Sequence, residues 1–210
     1  MRYVLNTLFL LAFCMTMFGQ SKIGPQEQQQ VIQKFNSASS SLRTMYCDFV
    51  QTKKMKLLKN EMQSKGVLYY SSPNRLRWQY NTPYSYLFIL NGDNVYIKSG
   101  TKKQNIDVKR NKIFRQISSV ILQCITGGRL NNSSDFTVEI QKTNDTYSAR
   151  LDPKKKELKK LYSIIEIYFN HDLTMVNSVR LEETTGDTTI VELKNVKTNT
   201  SISENLFSLN

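Results

Sequence analysis

The chain has 210 residues, with 29 lysines and arginines against 17 aspartates and glutamates, a net charge of +12 at neutral pH, and one histidine. That length suits one domain with a sizeable core and is short for two, while the positive field attracts acidic proteins, anionic headgroups or nucleic acid. No His/Cys cluster has zinc spacing and no glycine-rich loop opens a helix, so neither a metal centre nor a phosphate cradle is expected.

Residues 1–20 contain Arg2, an apolar run from Tyr3 to Phe18, and Gly19-Gln20, the order of charged, greasy and small regions in a secretory signal peptide. The run falls short of the roughly 18 to 20 residues a spanning helix needs. Export and cleavage are therefore expected, leaving residues 21–210 as one mature domain. Bulky Phe13 stands where a lipoprotein cleavage box needs a small residue, so Cys14 reads as part of the leader. Export removes nucleic acid from the partners and permits a disulfide between Cys47 and Cys124. Both positions read as apolar, and two buried thiols is the preferred reading.

Val31, Ile32, Phe35, Ala38 and Leu42 fall at helical spacing in the segment from Gln26 to Leu42, which predicts an amphipathic helix covering one edge of the strands after it. From Met45 the period becomes two, placing Met45, Cys47, Phe49 and Gln51 on one strand face. A polar connection is expected over 53–65. Gly66, Leu68, Tyr70 and Ser72 alternate in the next strand, and Ser71-Ser72-Pro73-Asn74 turns the chain back through Leu76, Trp78 and Tyr80. After Pro83, the strands from Tyr86 to Leu90 and from Val95 to Ile97 flank Asn91-Gly92, whose tolerance of positive φ marks a hairpin.

Ile113, Ile117, Val120, Ile121 and Cys124 form a helical stripe that Gly127-Gly128 can stop. Strands are then predicted over Phe136 to Ile140, Tyr147 to Leu151, Leu161 to Phe169, Met175 to Glu182 and Thr188 to Val196. Turns fall at Asp152-Pro153 and Asn170-His171-Asp172. The run Lys154-Lys155-Lys156 with Lys159-Lys160 reads as a solvated turn. Its functional alternative is electrostatic docking on an acidic partner or membrane, extended by Lys53, Lys54, Lys102, Lys103, Lys109, Arg110 and Lys112.

About ten strands without βαβ alternation, plus two helices, predict a mainly β (α+β) domain: an antiparallel sheet curled around a core. If a helix plugs one side, the core becomes a cavity with a removable stopper. Catalysis is not expected. His171 sits beside Asp172 in a turn, Cys47 lacks a nearby base, and Glu182 and Glu183 point to opposite strand faces.

The hairpin from Gly66 through Trp78 to Tyr80, preceded by Phe49-Val50-Gln51 and followed by Pro83 and Asn91-Gly92-Asp93, resembles the periplasmic lipoprotein carrier family, LolA. The tail agrees: Gly186-Asp187-Thr188-Thr189, then Leu193-Lys194-Asn195-Val196-Lys197-Thr198-Asn199, and Phe207. The similarity covers nearly all of the mature chain. It implies an incomplete antiparallel barrel of about ten to eleven strands with helices as a lid over an apolar cavity. Met45, Cys47, Phe49, Leu68, Tyr70, Leu76, Trp78, Tyr80, Phe88 and Leu90 would form the cavity wall, facing Ile117, Val120, Ile121 and Cys124 on the lid. Periodicity alone favours a plain packed core for these residues.

The resemblance further implies a monomeric, cofactor-free carrier that shields acylated lipoproteins. An inner-membrane ABC-type complex would load it, and an outer-membrane receptor or the membrane itself would unload it. Carriage or sensing of another lipophile, such as a glycolipid, is the alternative on the same fold. One departure concerns the lid: the family usually has an arginine just before the hairpin proline, and here Ser72 occupies that position. A hydroxyl has neither the reach nor the five donors of a guanidinium.

Overall fold

Period-two patterning produces one continuous antiparallel sheet in the computed structural model, which describes residues 21–58, 60–128, 130 and 133–209. The expected leader, with Cys14, lies outside the described residues. The strands are β1 (Ser21–Lys22), β2 (Thr44–Lys54), β3 (Glu61–Ser71), β4 (Arg75–Thr82), β5 (Tyr86–Asn91), β6 (Asn94–Ser99), β7 (Lys102–Asp107), β8 (Phe136–Thr143), β9 (Thr146–Pro153), β10 (Tyr162–Phe169), β11 (Val176–Glu183) and β12 (Thr188–Thr198). Their spatial order is β1-β8-β9-β10-β11-β12-β2-β3-β4-β5-β6-β7. The chain order is broken where β12 returns beside β2, and α-helical segments separate the two halves. Apart from two-residue β1, eleven strands make up the sheet, as the resemblance implied.

Register explains which side chains meet. Met45 pairs with Tyr70, Cys47 with Leu68 and Phe49 with Gly66 across β2 and β3. Leu68 then pairs with Trp78, Gly66 with Tyr80, and Trp78 with Phe88. Cross-strand rows of this kind stabilise a half-buried sheet. At Gly66 the ladder shifts by one residue, and a Cβ there would lie 1.9 Å from the Gln79 carbonyl oxygen and 2.8 Å from the Phe49 ring. Glycine is what lets β3 and β4 approach at this point.

The two long helices lie against one continuous core with this face of the sheet. α1 (Pro25–Ser41) starts with proline in its first turn and buries Val31 and Phe35, the latter with its ring centroid 4.3 Å from Phe169. α2 (Lys112–Thr126) begins where the Asn111 side chain accepts from the Phe114 N–H at 3.2 Å. It ends at Gly127 with φ +73, where any Cβ would fall 1.7 Å from the Phe35 ring. The Ser39 hydroxyl donates to the Thr126 carbonyl at 2.7 Å, tying the ends of the two helices together.

Several elements depart from the sequence reading. The polar connection expected over 53–65 shrinks to 55–60, because β2 and β3 continue as a paired hairpin through Lys54 and Glu61. β7 is an additional strand, and the lysine run is no plain turn: α3 (Lys156–Lys159) is a one-turn helix anchored by buried Leu158. Ile113, expected on the buried stripe of α2, is 57% exposed. After β12 a 3-10 turn over Glu204–Phe207 buries Phe207. Arg75 pairs with Glu204 at 2.8 Å and lies over the Phe207 ring, while Arg77 donates to the Leu206 carbonyl at 3.0 Å. No helix among the described residues is long and apolar enough to cross a membrane.

Candidate functional site

Along β4, β5 and β6, Trp78, Phe88 and Ile97 form one row across the sheet, with Tyr80 and Tyr86 beside them. α2 spans this surface and presents Phe114, Ile117 and Ile121. Leu181 of β11, Val191 of β12 and Tyr162 of β10 close the opposite side. Between them lies a cavity of about 340 Å³. A smaller void of about 40 Å³ continues under α2 among Val120, Cys124, Ile125, Val179 and Leu193, and shares Trp78, Ile121, Tyr162, Leu181 and Val191 with the larger one.

The lining is aromatic and uncharged. Phe49 stands edge-on to Trp78 and Tyr80 at 5.4 and 5.0 Å, and Trp78 and Tyr80 are stacked at 6.3 Å. Tyr80 stacks in turn on Tyr84 at 6.3 Å. Among the described residues no Asp, Glu, Lys, Arg or His lines either space. The polar residues of the larger space are Gln51, Trp78, Tyr80, Tyr86 and Tyr162: the Tyr80 hydroxyl donates to Gln51 Oε1 at 2.8 Å, and the buried Trp78 indole N–H has no partner. Burial pushes the Tyr80 phenol up and the Tyr162 phenol up to about 12, so both stay neutral. Such a surface favours apolar ligands and offers no groups for acid–base chemistry at neutral pH.

All four lid residues named from sequence, Ile117, Val120, Ile121 and Cys124, face these spaces. Of the ten wall residues, Trp78, Tyr80 and Phe88 line the cavity. Met45, Cys47, Phe49, Leu68, Tyr70, Leu76 and Leu90 are packed into the core, with exposures of 0 to 6%, and line neither space. The remaining lining comes from residues that the sequence reading did not name as wall or lid: Gln51, Tyr86, Ile97, Phe114, Ile125, Tyr162, Val179, Leu181, Val191 and Leu193. The alternations Val179/Leu181 and Val191/Leu193 were the available signal. Ser72 lies in the turn after β3, where its N–H donates to the Arg43 carbonyl at 2.7 Å, beside the end of α1.

Cys47 and Cys124 are free and buried, and burial pushes each thiol up to about 12. The thiolate is the reacting form and is suppressed below that value. Neither thiol should react at pH 8 with an aromatic disulfide reagent in the folded protein, and both should react in denaturant. Selective reaction of Cys124 under native conditions would report α2 lifting from the sheet.

His171 is exposed and faces an open polar groove of about 380 Å³ with Glu27, Lys34, Asp145 and Tyr147. There the Tyr147 hydroxyl donates to Glu27 at 2.7 Å and Lys142 pairs with the same carboxylate at 3.3 Å, which holds Glu27 below the usual carboxylate range. These contacts tie α1 to the β8–β9 hairpin. Glu182 and Glu183 are engaged separately, by Arg180 and by Lys53. Among the described residues no group of His, Cys, Asp and Glu is placed to hold a metal ion.

The outer membrane lipoprotein carrier protein LolA family matches residues 40–210. The chain belongs to the LolA family. Among curated relatives, an outer-membrane lipoprotein carrier protein of Legionella pneumophila is 26% identical, over 98% of this chain and 95% of its own. One from Methylococcus capsulatus is 23% identical, over 95% and 90%. Solved structures agree on the fold. A Vibrio parahaemolyticus domain assigned to outer membrane lipoprotein sorting superposes with a TM-score of 0.51 at 11% identity, covering 88% of this chain and 97% of that one. In the Pseudomonas aeruginosa MucA/MucB complex the matched chain gives 0.50 at 9% identity, covering 86% of this chain and 60% of that one.

Proposed function

We propose that this LolA-family protein is an exported periplasmic carrier that shelters the acyl chains of lipoproteins between the inner and outer membranes. The observation that carries the reading is the uncharged, aromatic cavity under α2 in a member of a carrier family. Each methylene exposed to water costs about 0.8 kcal/mol, so an acyl anchor needs an apolar container to cross an aqueous space. A volume of about 340 Å³ lies near the lower end of the roughly 300 to 1,000 Å³ typical of ligand sites. It accommodates part of an anchor as it stands, and displacement of α2 joins it to the void behind. Gly127 and Gly128, at φ +73 and +51, sit at the helix end where such a movement would pivot.

In this scheme an inner-membrane ABC-type complex supplies the cargo, and an outer-membrane receptor or the membrane takes it. Direction comes from each acceptor holding the lipid more tightly than the last. The carrier acts as a monomer and performs no covalent chemistry; with Ser72 in place of the family arginine, α2 is held by its apolar contacts and by the Ser39–Thr126 hydrogen bond at its end.

Native mass spectrometry of the purified protein with acylated and deacylated forms of one lipoprotein from its own host tests this. Complex formation with the acylated form alone is expected. Equal binding of both forms would sink the cavity reading, and capture of a glycolipid in preference to either would assign the cavity to another lipophile.

A further inference from the structure

Five large apolar side chains are conspicuously exposed among the described residues, and four of them, Leu57 at 94%, Leu58 at 57%, Met62 at 41% and Tyr84 at 47%, belong to one rim of the sheet. Because every neighbouring pair of strands is antiparallel, the β2–β3 tip, the β4–β5 turn, the β6–β7 turn and the β9–β10 connection all emerge at this end. The tip that carries Leu57 and Leu58 is central in the sheet order, and adjacent exposed leucines there are costly for a soluble hairpin, where polar turn residues are the norm.

Beside the tip, Lys53 is paired with Glu183 and Asp187 and Lys54 with Glu61, which leaves Lys56 as the cation next to the leucines. Farther along the same end of the sheet, Lys102 and Lys103 open β7 on one side, and Lys154, Lys156 and Lys160 lie around α3 on the other. Apart from Lys53 and Lys54, none of these lysines forms an ion pair among the described residues. Aliphatic prongs at an end of the sheet that also carries lysines outside any ion pair are the pattern by which a protein seats itself in a headgroup layer, with short apolar groups entering the acyl boundary and ammonium groups meeting lipid phosphates. The cavity lies toward the same end: Gln51, Tyr80 and Tyr86 line it from the rim-proximal parts of β2, β4 and β5, and Tyr84 stacks on Tyr80.

We infer that the β2–β3 tip is a membrane-docking element, in which Leu57 and Leu58 insert into an anionic bilayer surface and the flanking lysines hold the rim against its phosphates. Docking there brings the cavity mouth to the lipid without passage through bulk water. The inference goes beyond carriage and does not depend on the cargo, since it concerns the protein alone with lipid.

The test is sedimentation of the purified protein with vesicles of phosphatidylethanolamine and phosphatidylglycerol, against vesicles of phosphatidylcholine. Partition to the anionic vesicles is expected, weakening as salt is raised. The double substitution L57S/L58S, at exposed positions that leave the fold intact, should reduce it roughly tenfold. The same variant should keep the melting temperature and the uptake of a lipophilic dye. No partition of the unmodified protein to anionic vesicles would overturn the inference and leave the tip to a protein partner. Equal partition of L57S/L58S, or equal binding to phosphatidylcholine, would overturn it as well.

Discussion

Replacing Gly66 with alanine is expected to destabilise the protein by about 3 kcal/mol, the upper part of the range for overpacking a well-filled interior. The added Cβ would sit 1.9 Å from the Gln79 carbonyl oxygen and 2.8 Å from the carbonyl carbon, and backbone in the middle of a sheet has no cheap way to move. On its other side the Phe49 ring is held edge-on to Trp78 and Tyr80. Relief therefore requires β3 and β4 to part, which opens the row that forms the cavity wall. For a domain of this size the loss corresponds to a melting temperature lower by roughly 6 to 12 °C, read by circular dichroism. An unchanged melting temperature would mean that the two strands do not approach as described.

The double substitution L181W/I97W is expected to weaken uptake strongly while sparing the fold. Leu181 on β11 and Ile97 on β6 line the larger cavity from opposite sides, and both are only half-buried, so two indoles can occupy space that is otherwise unfilled. Affinity for acylated lipoprotein and for a lipophilic dye should fall at least about tenfold, equivalent to about 1.4 kcal/mol, with the melting transition little changed. Undiminished binding in a folded variant would place the ligand elsewhere on the molecule. The same experiment at Leu68 or Leu76 is uninformative, because both are fully buried away from the cavity and tryptophan there would overpack the core.

That difference shows which part of the molecule was legible in the sequence. Alternation correctly placed Met45, Cys47, Leu68 and Leu76 on the inner face, since period two encodes which side of a strand is buried. It carries no information on how far a helix stands off that face at each height, and this spacing separates a packed residue from one lining a void. The helical period served better on α2: a single helix stands over the cavity, so one stripe supplies the residues that face it. Ile113 failed because it lies in the first turn, where Phe114 takes the inward position.

Turn chemistry located Asn91-Gly92 and Ser72-Pro73-Asn74, both of which reverse the chain as read. β7 was missed for a physical reason: Lys102 to Asp107 is exposed almost throughout, so nothing selects for alternation. The β10–β12 half of the cavity was legible as strands, yet its role depends on β12 returning beside β2, a long-range pairing that no local pattern encodes.

A sheet left open to admit a helix also has two ends, each a template onto which another extended chain could add. Here they are blunted by different means. At one end β1 covers only two residues of β8, at Gln141 and Lys142, and next to them the Ile140 N–H is met at 3.4 Å by the Gln28 side chain of α1. At the other, β7 is short and begins with two consecutive lysines, whose charge repels a second copy approaching edge to edge. The positive charge at this edge thus acts against sheet-to-sheet growth, as inward or edge lysines do on other unclosed sheets.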